Sequence, residues 1–192
     1  MNHDVHATPP VAVRRVLGHP HLRFAVLVGT LAWLVDWVSK SWALAELAGR
    51  PREVGDALLL GVAHNDALAF SSFQWIPVES VLSLRITCIL VLVLLAIRLA
   101  AESRRLACAF ALLLAGGLGN VADLVLRDGA VIDFIGVRPF VFAEPDLAIV
   151  FNLADVWIKV GIILAFPLIR RAAQRTQEAS DAFERRLQLR LR

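Results

Sequence analysis

The sequence predicts an all-α membrane protein with four transmembrane helices, both termini on the inner side, and a small β-element in the outer link between the first two spans. Three observations carry this. The 192 residues are 58% hydrophobic and the mean hydropathy is +0.65, too apolar for an ordinary soluble domain. Four stretches reach the roughly 20 mostly apolar residues that a spanning helix needs. Arginines concentrate in alternate links, and that bias sets the orientation.

Residues 1–21 form an inner, cytoplasmic segment carrying Arg14 and Arg15, with Arg23 just beyond. The first span covers about 22–44. Its length, its Asp36 and Lys40, and the lack of a small-x-small cleavage site argue for an uncleaved span over a signal peptide. The outer link that follows contains EVGDALLLGVAHNDALAFSSF, short apolar runs mixed with turn residues, which suits short strands at the membrane surface. Spans two and three cover about 78–99 and 106–126, joined by an inner link with Arg98, Arg104 and Arg105. After a second outer link, span four covers about 146–169, with Pro145 placed for a first helical turn. Together 22–170 make one four-span domain, and 171–192 form a charged cytoplasmic tail. There is no internal repeat.

Charge and cysteine usage exclude other classes. The net charge is only +3, and no basic stripe interleaves with aromatics, so nucleic acid is not an expected partner. Cys88 and Cys108 lie in apolar runs and read as two buried thiols.

An ionisable side chain at membrane depth costs roughly 2.5–3.5 kcal/mol on insertion scales, so each needs a partner, a wet cavity or a task. Asp36 and Lys40 stand four apart on span one, a plausible structural ion pair. Asn120 and Asp123 share a face near the outer end of span three, behind Gly116, Gly117 and Gly119, which would admit a close neighbour. Asn152 and Asp155 share a face in the outer half of span four, with Lys159 one turn deeper. Asp133 follows in the outer link after span three. Two readings of Asp155 stand side by side. Lys159 can neutralise it, or Asp133 can face it. Two carboxylates in a partly dry site hold one proton between them and titrate as a unit. Such a pair does aspartic-protease chemistry: the ionised member takes a proton from water and the protonated member donates to the scissile carbonyl oxygen. Nothing points to a cofactor. His3, His6, His19, His21 and His64 show no metal-ligand spacing. Ser71 and Ser72 with His64 lack a third residue for serine chemistry.

The blocks VDWVSK, NDALAFS, GGLGNVADLVLRDGAVIDFI and FNLADVWI resemble, in order, the four signature regions of signal peptidase II, the bacterial lipoprotein signal peptidase family. The likeness covers roughly residues 22–170. It implies an aspartic endopeptidase in the bacterial inner membrane with its site toward the periplasm. It further implies substrates that are diacylglyceryl-modified prolipoproteins, cut just before the lipidated cysteine. By position, Asp133 and Asp155 match the catalytic dyad. Asn65, Asn120 and Asn152 match the polar residues around it, and Asp36 and Lys40 match the first block. Membrane lipids are the other expected partners, and a monomer is expected.

The chain departs from the family pattern at three places. Leu124 follows Asp123 where an arginine is usual. Ala67 replaces the glycine of NxGxAF, with bulky Leu68 beside it, and the segment containing RPFVFAEPD is long. Arg127, one turn beyond Leu124, or Arg85 on span two can supply the missing guanidinium to a lipid headgroup or substrate carbonyl. Asp123 and Arg127 therefore join the three asparagines as candidates for binding substrate or supporting the dyad. Two other readings remain: a family relative that binds lipoproteins or lipids without cutting them, and a small transporter with an Asp/Lys relay. Against the transporter, the polar residues cluster at one side of the membrane.

Overall fold

The computed structural model describes residues 20–65, 77–99, 103–137 and 149–190. Helix α1 (Pro20–Glu46) leads into strands β1 (Arg52–Val54) and β2 (Leu58–Asn65). Helices α2 (Val78–Leu99) and α3 (Arg104–Leu126) follow, then strands β3 (Val131–Val137) and β4 (Ile149–Phe151), and finally helix α4 (Leu153–Arg190). The expected β-element is present. It is larger than the first outer link alone could make, because β3 and β4 come from the second.

Three helices, His21–Glu46, Glu79–Leu99 and Arg104–Leu126, are long and apolar enough to cross a membrane. Helix α4 differs in carrying Asp155, Lys159 and Arg170 within its first 18 residues. The surface is inverted relative to a soluble protein. Leu27, Val38, Leu90, Leu94, Ile163 and Phe166 are exposed, while Asp36, Lys40 and Asp123 are buried. Lipid tolerates the leucines and not the charges, so the bundle turns its charges inward.

Helix α3 is the centre, packing most extensively on α4 and α1. Ser103 caps its start, its hydroxyl accepting from Leu106 N at 3.2 Å. Below the polar residues it packs Leu106, Ala109, Phe110 and Leu113 against Ala165 of α4. Its other face joins Leu112 and Ala115 to Ala32 of α1. The close approach needs glycine. A Cβ on Gly116 would collide with the backbone oxygen of Ala154 and lie 2.7 Å from Ile158 Cγ1. A Cβ on Gly119 would lie 2.6 Å from Asp36 Oδ2. At the end of α3, Asp128 (φ 51°) and Gly129 (φ 79°) adopt left-handed conformations that reverse the chain into β3.

The four strands form one antiparallel sheet in the order β1-β2-β3-β4. Between β2 and β3 the register slips once. Leu60 pairs with Ile135, but Ala63 pairs with Asp133 and Asn65 with Val131. β2 thus carries one extra residue, a bulge. Because side chains alternate faces, that residue decides which side chain of β2 shares the face of Asp133. With the bulge it is Asn65. In an unbroken register it would be His64.

The start of span four and the burial of the cysteines depart from expectation. Span four was expected from about Asp146, yet Ile149–Phe151 is a strand paired with β3, and the helix starts at Leu153. The run of β-branched and aromatic residues completes the sheet, and Asn152 then caps the helix. The helix also continues through the expected tail to Arg190, since those residues contain good helix formers and no proline or glycine. The thiols are free as expected, but Cys88 is exposed and Cys108 only half-buried. Pro145, Ala67, Leu68, Ser71, Ser72 and the RPFVFAEPD segment lie outside the described residues.

Gly116→Val should loosen the α3–α4 contact at its closest point. An overpacked site of this kind costs about 1–3 kcal/mol, so the thermal midpoint of the purified protein in detergent should fall. An unchanged midpoint would show that the helices have room there.

Candidate active site

The site grows from one ammonium. Lys40 is fully buried and has three N–H donors, and each finds an oxygen. Its Nζ lies 2.9 Å from Asp36 Oδ2 and 2.8 Å from Asp123 Oδ2. The third donor goes to Asn120 Oδ1 at 2.9 Å. The expected Asp36–Lys40 pair is therefore one edge of a larger cluster. Asp36 Oδ1 accepts from the Ala154 backbone N–H at 2.8 Å, anchoring the N-terminus of α4 where an anion suits the helix dipole. Asp123 Oδ2 accepts from Ile132 N at 3.2 Å, tying the start of β3 to the end of α3.

Asn152 and Asp155 form a capping box. Asn152 Oδ1 accepts from Asp155 N at 3.0 Å, and Asp155 Oδ2 accepts from Asn152 N at 3.3 Å. The spacing of FNLAD is thus a helix start as well as a polar cluster. Because the Asn152 oxygen serves the helix, its amide nitrogen faces outward. That nitrogen donates to Asp133 Oδ1 at 2.6 Å and to Asn120 Oδ1 at 3.2 Å. Asn65 donates to Asp133 Oδ2 at 2.9 Å from β2, and Asn120 donates to Asp155 Oδ1 at 3.1 Å. Each aspartate accepts two N–H donors, and Asn152 bridges the pair.

Both carboxylates open on a cavity of about 460 Å³ between α2, α3 and α4. Asn65, Asn120, Asp133 and Asp155 lie on its walls together with apolar Ile89, Leu92, Leu113 and Ile158. Asp133 is 4% exposed. Burial pushes its carboxyl up to about 6, and the nearby Asp155 charge adds to that, while the Asn65 and Asn152 hydrogen bonds oppose it. A carboxyl near 6 beside a second carboxylate can hold a proton under mild conditions and give it to a substrate atom. Among the described residues no group of three or more His, Cys, Asp or Glu side chains could hold a metal ion.

The sequence left open whether Asp155 faces Asp133 or Lys159. No ion pair joins Asp155 to Lys159. The Lys159 ammonium lies 5.0 Å from the centre of the Phe151 ring instead. Arg127, a candidate for substrate contact, turns toward α1. Its NH1 is 3.1 Å from Asp123 Oδ1, its NH2 donates to Ser41 Oγ at 2.9 Å, and it stacks 4.3 Å over Trp37. The guanidinium that lines the cavity is Arg85 of α2. Leu124 is buried with Val81 and Val131, so the residue after Asp123 makes an apolar contact between α3, α2 and β3. Sequence reading missed Ser41, Trp37 and Phe151 as partners of these cations. Nothing in their spacing marks them, since each meets its partner only through packing.

A sequence model of the family described as Signal peptidase (SPase) II matches residues 28–170. The chain is 35% identical to a lipoprotein signal peptidase of Dichelobacter nodosus over 143 residues, 72% of this chain and 88% of that one. It is 30% identical to a lipoprotein signal peptidase of Sphingopyxis alaskensis over 176 residues, 85% of this chain and 92% of that one. A solved bacterial membrane enzyme superposes with a TM-score of 0.65 at 27% identity, covering 78% of this chain and 89% of the other.

The Asp133 environment predicts how stability varies with pH. Its carboxyl sits near 6 when folded, against 3.8 as the ordinary value. The folded state therefore prefers the protonated form. That contribution is complete below about 4 and is lost as pH rises through about 6. Asp133→Asn removes it. Relative to the parent, the thermal midpoint of the variant should climb between pH 4 and pH 7, by the equivalent of up to about 3 kcal/mol. A pH-independent gap between the two proteins would contradict the assignment.

Proposed function

The chain belongs to the signal peptidase II family, and from that premise we propose that it is a membrane aspartic endopeptidase that removes signal peptides from diacylglyceryl-modified prolipoproteins. The observation that carries the reading is the juxtaposition of Asp133 and Asp155, each with two N–H donors, bridged by Asn152 at the head of a largely apolar cavity. We propose that α4 is a fourth span, that both termini face the cytoplasm, and that the cavity opens toward the outer leaflet of the inner membrane. The arginine distribution and the clustering of polar residues at one end of the bundle support this orientation.

In the mechanism, a water bound between the carboxylates loses a proton to ionised Asp155 as its oxygen attacks the scissile carbonyl carbon. Protonated Asp133 gives its proton to the carbonyl oxygen, producing a neutral gem-diol. The intermediate then collapses. The C–N bond breaks, one gem-diol proton returns to Asp133, and the proton held by Asp155 passes to the departing amine of the lipid-bearing cysteine. The dyad ends with the one proton it began with. Asn65 and Asn152 hold Asp133 in place, and Asn120 with the Asn152 backbone holds Asp155. The apolar stretch of the cavity suits a signal-peptide side chain or an acyl chain. Arg85, lining the cavity from α2, suits the carbonyl or phosphate oxygens that such a substrate or its lipid surroundings bring. A relative that binds without cutting gains no support here, because both carboxylates and their donors are in place.

Asp133→Asn and Asp155→Asn should each insert normally and each abolish cleavage of a lipidated precursor, in a purified assay and in a strain lacking its own peptidase. Cleavage at the parent rate by either variant would overturn the role assignment. Arg85→Ala should raise KM several-fold with a smaller effect on kcat. Parental values of both constants would remove Arg85 from the substrate site.

A further inference from the structure

Resting on the aspartic-peptidase reading above, we propose that Lys40 is a positioning residue that assigns the two carboxylates their separate roles, by fixing the direction in which the Asn120 amide points. The two ends of an asparagine amide are nearly the same in shape and opposite in hydrogen-bonding character. Turning it by half a rotation exchanges a donor for an acceptor, and only its partners decide which end goes where.

Asn120 stands between a group that can only donate and a group that, when ionised, can only accept. On one side is the Lys40 ammonium, 2.9 Å from Asn120 Oδ1. On the other is Asp155 Oδ1, 3.1 Å from Asn120 Nδ2. The reversed amide would set its NH2 against the ammonium and its oxygen against the carboxylate, which is unfavourable at both ends. Asn152 reinforces the choice by donating to the same Asn120 oxygen at 3.2 Å. The other two donors of Lys40 are held by Asp36 and Asp123, so the third is aimed by the cluster rather than by solvent. Lys40 is 0% exposed. A donor polarised from behind by a buried cation is strengthened. Lys40 thus acts on Asp155 through Asn120 without touching it, and favours Asp155 as the ionised base. Asp133 receives its donors from Asn65 and Asn152. The ammonium also favours its ionised form, but as the smallest of the influences on it, while burial is the largest and raises it, so Asp133 is left as the member that carries the proton.

Other charged groups also face Asp155. They are Asp133 of β3, Arg85 of α2 and Lys159 of its own helix, all of which line the cavity. Behind Asn120 lie Lys40 and Asp36 of α1, and Asp123 of α3 with its partner Arg127. An experiment on Lys40 must leave the cavity-lining groups unchanged and keep the cluster neutral. The double variant Asp36→Asn/Lys40→Met does both, because it removes one charge of each sign and leaves Asp123 paired with Arg127, and it is compared with the parent.

The measurement is kcat/KM against pH for cleavage of a diacylglyceryl-modified peptide by purified full-length protein in detergent, with KM determined separately. Relative to the parent, the double variant should show the acid limb of the profile moved up by about one pH unit. Below the limb that is about a tenfold loss of kcat/KM, and KM should stay unchanged. A purely structural role would lower the folded fraction at every pH without moving the limb. Asp123→Asn/Lys40→Met is the second variant, and it decides the matter if the first double variant does not fold. It also removes one charge of each sign and leaves the cavity lining unchanged, and should move the limb in the same direction. If the parent cleaves and the limb stays in place in every folded variant, the positioning role of Lys40 is overturned while the peptidase reading stands. If Asp133→Asn and Asp155→Asn cleave like the parent, the peptidase reading falls first, and the role of Lys40 falls with it.

Discussion

A primary ammonium buried among membrane helices must satisfy all three of its N–H groups and its charge without water. Lys40 does this with Asp36, Asp123 and Asn120, and much of the rest follows from how those partners are supplied. Removing one side of such a cluster leaves an uncompensated charge, which is why buried pairs are costly to break even where they add little net stability. Two carboxylates around one ammonium leave an excess negative charge. Arg127 balances it from the end of α3, held on Asp123 and packed on Trp37. The four charges sum to zero.

The same partners fix the geometry of three chain segments. Asp36 takes up the Ala154 backbone N–H and so sets where α4 begins. Asp123 takes up the N–H of Ile132, the second residue of β3 and the one just before Asp133, and so ties the start of that strand to α3. Asn120 passes the influence of the ammonium to Asp155. The two aspartates come from different secondary structures, yet both are placed by hydrogen bonds to groups that surround one lysine. The glycines of α3 belong to this constraint. Only with no side chain at Gly116 and Gly119 can α4 and Asp36 come close enough for the bonds to form.

The sheet adds what the helices cannot. A helix presents side chains at its own spacing, whereas the bulge in β2 re-aims one strand relative to another by a single residue. Asn65 reaches Asp133 because of that extra residue. The environment of the dyad is thus uneven by construction. Asp133 sits in a strand, nearly buried, with its carboxyl near 6. Asp155 sits in the first turn of a helix on the cavity wall, and that difference in setting supports the proposed division of roles.

Membership of the membrane class, the three apolar spans, the strands of the first outer link and the identity of the polar residues were all legible in the sequence. They depend on composition, on length, and on side chains three or four apart on one helix. The Asp36–Lys40 pair and the shared face of Asn152 and Asp155 are local facts of this kind. Other features were decided only by the tertiary structure: the strand Ile149–Phe151 in place of a helix start, the register shift that selects Asn65 over His64, and the turning of Arg127 away from the cavity. It also decided that Asp155 has no ion pair with Lys159, four residues away. The spacing allowed that pair equally well. A sequence records which groups need partners, because the cost of burying a charge attaches to the residue itself. Which partner each group takes depends on distances between segments far apart in the chain, and packing sets those.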